Sequence, residues 1–289
     1  MKCFNPFCSH KSHQPGPTCE RCDQSLKIGS WFVSESLAEG SLGALYLLQS
    51  EQNTLSVLKT PNSSVLEDRK ALDVQNLSLL KEATALQSLG EWQGCPRLEH
   101  FGQWEEWYYL IEEYIEGPTL KETAGVRALR EQELWVLLDA LLELLEHLAR
   151  QGIVHRDIKP DNVILTKIPE RPLVLIDWGS ASPLAQNWEP RLGNRDFAAP
   201  EVLLGHSCLK SDLYSVGKLM IYLLLLTSHE VSPRWSSHVP HLNADLIAAI
   251  DHLWLHRKAS DAREFRETFV PAARRLQRQA LTRIAHDCW

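Results

Sequence analysis

The sequence predicts an α+β chain in which strands come first and helices follow, behind a short cysteine-bearing head. Three observations carry this. From Ile28 short apolar runs alternate with turn residues, as strands and hairpins do. From Glu131 apolar residues recur at Leu134, Leu138, Leu141, Leu145 and Leu148, the spacing of one helical face. Ahead of both, Cys3, Cys8, Cys19 and Cys22 crowd into a stretch of Pro, Gly, Asn and Ser too short to bury a core of its own. Strands followed by helices is the order of an α+β fold.

At 289 residues the chain has room for one large or two small cores. Its 44% hydrophobic and 23% charged residues are those of a globular protein. A net charge of −7 excludes a general nucleic-acid binder and a binder of acidic membranes. The longest apolar run, residues 219–226, is far below the roughly 20 residues a spanning helix requires, so no transmembrane segment is expected. The first residues lack a signal-peptide core, which places the chain in the cytoplasm as an expectation.

The head reads C-x4-C-x10-C-x2-C over Cys3, Cys8, Cys19 and Cys22. Four thiolates in two close pairs suit a tetrahedral Zn²⁺, and binding it would supply most of the folding free energy of so small a knuckle. A redox-active or disulfide-forming cluster is the competing reading, opposed by a reducing cytosol. His10 and His13 are close enough to substitute as ligands or to remain solvated loop residues. Cys95, Cys208 and Cys288 stand alone and read as buried or inert thiols.

Residues 153–179 carry the chemistry: I-V-H-R-D-I-K-P-D-N-V-I-L, a polar connection, then L-V-L-I-D-W-G. Asp157, Asn162 and Asp177 sit on the ends of short apolar runs that read as buried strands, and a hairpin of residues 163–165 against 173–176 returns Asp177 to the other two. Three oxygen donors converging on one mouth are what phosphoryl transfer needs, since that reaction is catalysed by positioning and by neutralising phosphate charge with Mg²⁺. Asn162 and Asp177 fit as Mg²⁺ ligands. Asp157 then orients the acceptor hydroxyl and takes its proton, and Lys159 holds the transferring phosphate.

This stretch resembles the catalytic and metal loops of eukaryotic-type protein kinases, H-R-D-x-K-x-x-N followed by D-F-G, which stand here as residues 155–162 and Asp177-Trp178-Gly179. Small-molecule kinases of related fold share the Asp and the Asn, but Lys159-Pro160 and Ala199-Pro200-Glu201 favour the protein kinases. With the head included, the whole chain resembles the cyanobacterial four-cysteine class of serine/threonine kinases. The resemblance implies a bilobal kinase fold, a small β-rich N-lobe and a helical C-lobe, preceded by a zinc-ribbon-like head. The expected boundaries are head 1–26, N-lobe 27–116, C-lobe 117–270 and a C-terminal helix 271–289.

The same resemblance assigns the ATP site. Residues 37–46 look like the glycine-rich loop: Ala38 stands in place of the usual first glycine, Gly40 and Gly43 remain, and Leu45 roofs the adenine. Lys59 ends a strand that matches V-A-I-K and is expected to meet the α- and β-phosphates, paired with Glu82 on a helix over residues 77–89. Residues 113–117 read as the hinge, with adenine on the Glu113 carbonyl and the Ile115 amide, and with Val57 and Ile164 sandwiching the ring. Glu112 takes the position guarding the back pocket, where an apolar residue or Thr is commoner. Gly152 is expected to cap the helix over 131–151, Asp212 to open a helix over 213–226 and to cap the catalytic-loop backbone, and Glu201 to pair with Arg257.

Two departures from the family pattern matter. Gly193-Asn194 replaces the usual Gly-Thr before Ala-Pro-Glu. Between Gly179 and Pro200 the hydroxyls are Ser180 and Ser182, both close to Asp177, so activity without activation-loop phosphorylation is expected. The expected function is ATP- and Mg²⁺-dependent transfer to Ser/Thr hydroxyls of protein substrates in signalling, with the head as a docking or sensing module. The alternative is a nucleotide-binding pseudokinase scaffold. A kinase of small molecules is the third reading.

Overall fold

The computed structural model describes residues 3–8, 18–40, 43–63, 68–184, 195–227, 232–256, 261–270 and 279–287. The chain divides into two units, Met1–Trp92 with Pro96–Tyr114, and Gln93–Cys95 with Ile115–Trp289.

The first unit is built on one antiparallel sheet of β1 (Lys27–Ile28), β2 (Trp31–Gly40), β3 (Gly43–Ser50), β4 (Leu55–Thr60), β5 (Leu98–Trp104) and β6 (Trp107–Glu113), in the order β1-β2-β3-β4-β6-β5. Strand β3 shows why these residues pair. Ala44, Tyr46 and Leu48 are buried and alternate with half-buried neighbours, the two-residue period of a pleated strand with one face on a core. That core gathers Leu26, Ile28, Val33, Leu58, Trp107 and Ile111, together with Phe4 from the head. Helix α1 (Arg69–Leu89) lies against the sheet. It begins at Arg69 rather than near residue 77, because the Asp68 side chain accepts the Lys70 amide at 2.9 Å and so caps the first turn.

The second unit is largely helical: α2 (Leu120–Val126), α3 (Glu131–Gln151), α4 (Pro200–Leu203), α5 (Leu209–Leu225), α6 (Ala244–Asp251), α7 (Ala262–Phe269) and α8 (Gln279–Asp287). Two small antiparallel pairs accompany them, β7 (Ile153–Val154) with β10 (Ser182–Pro183), and β8 (Val163–Leu165) with β9 (Leu173–Leu175). α3 ends at Gly152, whose φ of 67° is left-handed, as a glycine cap should be. α5 and α7 pack on α3.

α5 begins at Leu209, four residues ahead of the expected start, since Ser211 accepts the Cys208 amide at 3.1 Å and closes the first turn earlier. Asp212 therefore lies inside the first turn and does not open the helix. α8 buries Leu281 and Ile284 and packs on α3 and β8; residues 271–278 of the expected terminal helix lie outside the described residues. Among the described residues no helix is long and apolar enough to cross a membrane.

Candidate active site

In the first unit, Gly40 and Gly43 face each other across the tip of the β2–β3 hairpin. A Cβ on Gly43 would fall 2.6 Å from the Thr60 carbonyl oxygen, and its φ is +147°, so the close approach of β3 to β4 requires glycine there. Leu45 is opposite Lys59 and Val57 is opposite Glu112 in the sheet register. Lys59 is buried, and its ammonium lies 2.6 Å from Glu82 Oε1, the partner expected for it. Glu82 shares the buried face of α1 with Leu79, Ala83 and Leu86.

A second carboxylate, unforeseen in the sequence, reaches the same ammonium. Glu112 Oε1 lies 2.8 Å from Lys59 Nζ, and Glu112 is 3% exposed. The signal that finds it is register. Lys59 pairs with Leu110, and Glu112, two residues on, points to the same face of the sheet. Glu113 stands at the end of β6, and its amide donates to the Arg97 carbonyl at 2.9 Å.

In the second unit the polar loop after β7 is held from behind. Asp212 accepts the amides of His155 at 2.7 Å and Arg156 at 2.9 Å, the capping expected of it. Burial pushes the Asp212 carboxyl up to about 6, against these amides, which favour its charged form. Arg156 has φ +71° and Asp177 has φ +64°; non-glycine residues in the left-handed region are uncommon and cluster at functional sites.

On this frame Asp157 Oδ2 takes two donors, Lys159 Nζ at 2.6 Å and Asn162 Nδ2 at 2.9 Å, while Nδ2 also donates to the Asp157 carbonyl at 2.9 Å. Burial lowers the Lys159 pKa, but the Asp157 carboxylate and the charges of Asp177 and Asp161 outweigh it and hold the ammonium above its usual range. The Ile176 amide donates to the Asn162 carbonyl at 2.9 Å and ties the start of the Asp177 segment to Asn162. Trp178 is fully buried, donates its indole N–H to the Leu175 carbonyl at 3.0 Å, and meets the His155 ring edge-on at 4.6 Å.

Ile115 and Ile164 pack together with Val174. A Cβ on Gly117 would fall 2.0 Å from the Leu165 carbonyl oxygen, so this crossing of the chain also needs glycine. Ser180 and Ser182 are both buried. Glu201 accepts the Ser211 hydroxyl at 2.8 Å; Arg257, Gly193 and Asn194 lie outside the described residues. Leu45, Val57, Lys59, Glu82 and Glu113 thus belong to the first unit, and Ile115, Asp157, Lys159, Asn162, Ile164 and Asp177 to the second.

In the head, the sulfurs of Cys3, Cys8, Cys19 and Cys22 all lie within 4.8 Å of one another. The Cys3–Cys22 and Cys8–Cys19 separations are 3.7 and 3.8 Å. Zinc–thiolate bonds of about 2.3 Å in a tetrahedron imply sulfur–sulfur edges of about 3.8 Å, so the donor set fits Zn²⁺. It does not fit a disulfide, whose S–S bond is about 2.05 Å. Burial raises the Cys19 thiol, but the Arg21 and Cys22 amides outweigh it and bring the pKa down to about 7. Phe4, between two of these cysteines, is 1% exposed and stands edge-on to Tyr46 and Trp107, while the Tyr46 hydroxyl donates to the Cys3 carbonyl at 3.2 Å. Cys95 is buried as expected of an isolated thiol, whereas Cys208 is exposed; Cys288, His10 and His13 lie outside the described residues.

Known proteins resemble this chain in family and fold. The protein kinase domain family matches residues 31–284. Serine/threonine-protein kinase D of Synechocystis sp. is 30% identical over 240 residues, covering 76% of this chain and 47% of that protein. Serine/threonine-protein kinase PknA of Nostoc sp. is 28% identical over 252 residues, covering 79% of this chain and 44% of that protein. The chain thus spans less than half the length of these relatives. Among solved structures, the kinase domain of Mycobacterium tuberculosis PknI superposes with a TM-score of 0.64 at 18% identity, covering 87% of this chain and 96% of that one; this likeness shows a shared fold of β-rich N-lobe and helical C-lobe.

Proposed function

The chain belongs to the protein kinase family, and from that premise we propose that it is a serine/threonine kinase that transfers the γ-phosphoryl group of ATP to hydroxyls of protein substrates in signalling. The observation that carries this reading is the convergence of Lys159 and Asn162 on one oxygen of Asp157. Two donors on Oδ2 orient the carboxylate, and we assign Oδ1 as the atom that takes the proton of the acceptor hydroxyl. Lys159, kept charged by its surroundings, contacts the transferring phosphate.

The Asn162 amide nitrogen is committed to Asp157, which leaves its Oδ1 as the atom assigned to a cation, and Asp177 is half-buried at the end of the neighbouring segment. This hard-oxygen pair fits Mg²⁺, which would neutralise phosphate charge there. In the first unit Lys59, with Glu82, anchors the α- and β-phosphates, the Gly40–Gly43 hairpin covers them, and Leu45 and Val57 face the adenine. Ile115 and Ile164 of the second unit are assigned to the adenine ring, and the Glu113 carbonyl of the first and the Ile115 amide of the second to its hydrogen-bonding edge. Because Ser180 and Ser182 are buried, activity does not depend on their phosphorylation.

The head is proposed to hold one structural Zn²⁺ and to offer its exposed turn, Glu20, Arg21 and Asp23, to a docking partner. Four unlinked thiols this close together favour the reducing cytoplasm. The test is transfer of labelled γ-phosphate from ATP to a generic basic or casein-type protein, with Mg²⁺, by wild type and by Asp157→Ala. Transfer that falls about 10³-fold in the variant is the expected result. Nucleotide-induced thermal stabilisation without transfer by the wild type would replace this reading with a nucleotide-binding scaffold.

A further inference from the structure

The Lys59 site holds a second carboxylate beside the one that the phosphate anchor is expected to pair with. Lys59, Glu82 and Glu112 are 9%, 3% and 3% exposed, so one ammonium stands between two buried carboxylates, at 2.6 and 2.8 Å. The two acids are carried differently. Glu82 comes from a helix that packs on the sheet without being laddered to it. Glu112 comes from β6, laddered directly to the strand that carries Lys59, with Val57 opposite Glu112 and Lys59 opposite Leu110. The two-residue period of both strands puts Lys59 and Glu112 on one face in a diagonal pair. The register therefore keeps the backbone of Glu112 within reach of the ammonium.

We propose that Glu112 sets the affinity of this site for nucleotide phosphates, by competing with them for the Lys59 ammonium. The inference rests on the reading of Lys59 as the phosphate anchor. An ammonium has three N–H donors and a single charge. Every phosphate oxygen that approaches it meets a strand-borne carboxylate already drawn to the same cation, and like charges in a poorly solvated site repel. The penalty falls on the phosphate chain alone. Adenosine, which carries no phosphate, escapes it. Glu112 is thus a positioning residue that divides Lys59 between protein and nucleotide, and it makes the site bind nucleotide more weakly than a neutral residue there would.

The experiment is calorimetric titration of the full chain, in Mg²⁺, with ADP and separately with adenosine, for wild type, Glu112→Gln and Glu112→Met. Gln keeps the shape and removes the charge; Met serves should the Gln variant fail to fold, since it leaves no polar group to satisfy. The expected result is that ADP binds about tenfold tighter to the variants while adenosine affinity stays within about twofold of wild type. In steady state the KM for ATP falls by a similar factor. ADP affinity that is unchanged or weakened in the variants, or that shifts equally with adenosine, overturns the proposal. Folded wild type that binds adenosine but gains nothing from the phosphates of ADP would instead overturn Lys59 as the anchor, and this is read before any variant is made.

Discussion

Each unit sets one lysine against carboxylates at its candidate site, and the two differ in burial: Lys59 is buried and Lys159 half-buried. Lys59 is held between Glu82 and Glu112, both nearly inaccessible. Lys159 bonds one carboxylate, Asp157, which is also held by the neutral Asn162 amide, and it feels the charges of Asp177 and Asp161 as well. Removing a lysine should therefore have opposite consequences in the two places. In the first unit it should damage the fold, and in the second the chemistry.

The largest expected effect breaks the first cluster. Lys59→Met leaves two buried carboxylates without their cation and should cost about 3–5 kcal/mol in thermal or denaturant unfolding. Adding Glu112→Gln to that variant should return part of the loss. A Lys59→Met protein as stable as wild type would mean that the two acids do not share the burden.

Next comes the head, which belongs to the first unit through Phe4. Phe4→Ala empties a space between Tyr46 and Trp107 and should cost about 3 kcal/mol, while the purified protein still carries about one zinc per chain by metal analysis. Unchanged stability would make the head an independent knuckle, and the contrast between the units would then rest on Lys59 alone.

The smallest effect on stability is expected in the second unit. Lys159→Met should change unfolding by only about 1 kcal/mol, because Asn162 still holds Asp157, yet lower kcat about 10²-fold. Rate and stability falling together, as for Lys59, would erase the difference between the two sites.

Several features were legible from the chain because they are local. Asp157, Lys159 and Asn162 lie within one short loop, so their spacing alone brings them together once the flanking apolar runs form strands. Gly152 announces the end of α3 in the same way, since only a left-handed cap follows the last helical turn. The four cysteines announce a metal-sized cluster because two pairs of thiols in so short a polar stretch have little else to build on. The start of α1 was misplaced by the reading of its apolar stripe, which begins later than its hydrogen bonds do. Asp68 carries that information, and the stripe does not.

Contacts between distant segments were not legible. Phe4 reads as one apolar residue in a polar head until β3 and β6 bring Tyr46 and Trp107 beside it. Asp212 is set against the catalytic loop by the family resemblance alone; by spacing it reads as a helix residue, and the His155 and Arg156 amides its carboxylate meets are 57 and 56 positions away. Glu112 is an acid on a strand until the register with β4 sets it against Lys59. The chain alone thus determined which groups do chemistry and in what order, because a motif is a spacing, and a spacing survives unfolding. Which carboxylate shares a buried cation, and which aromatic ring anchors the head, was decided by folding, because strand register and side-chain burial exist only once remote segments pair.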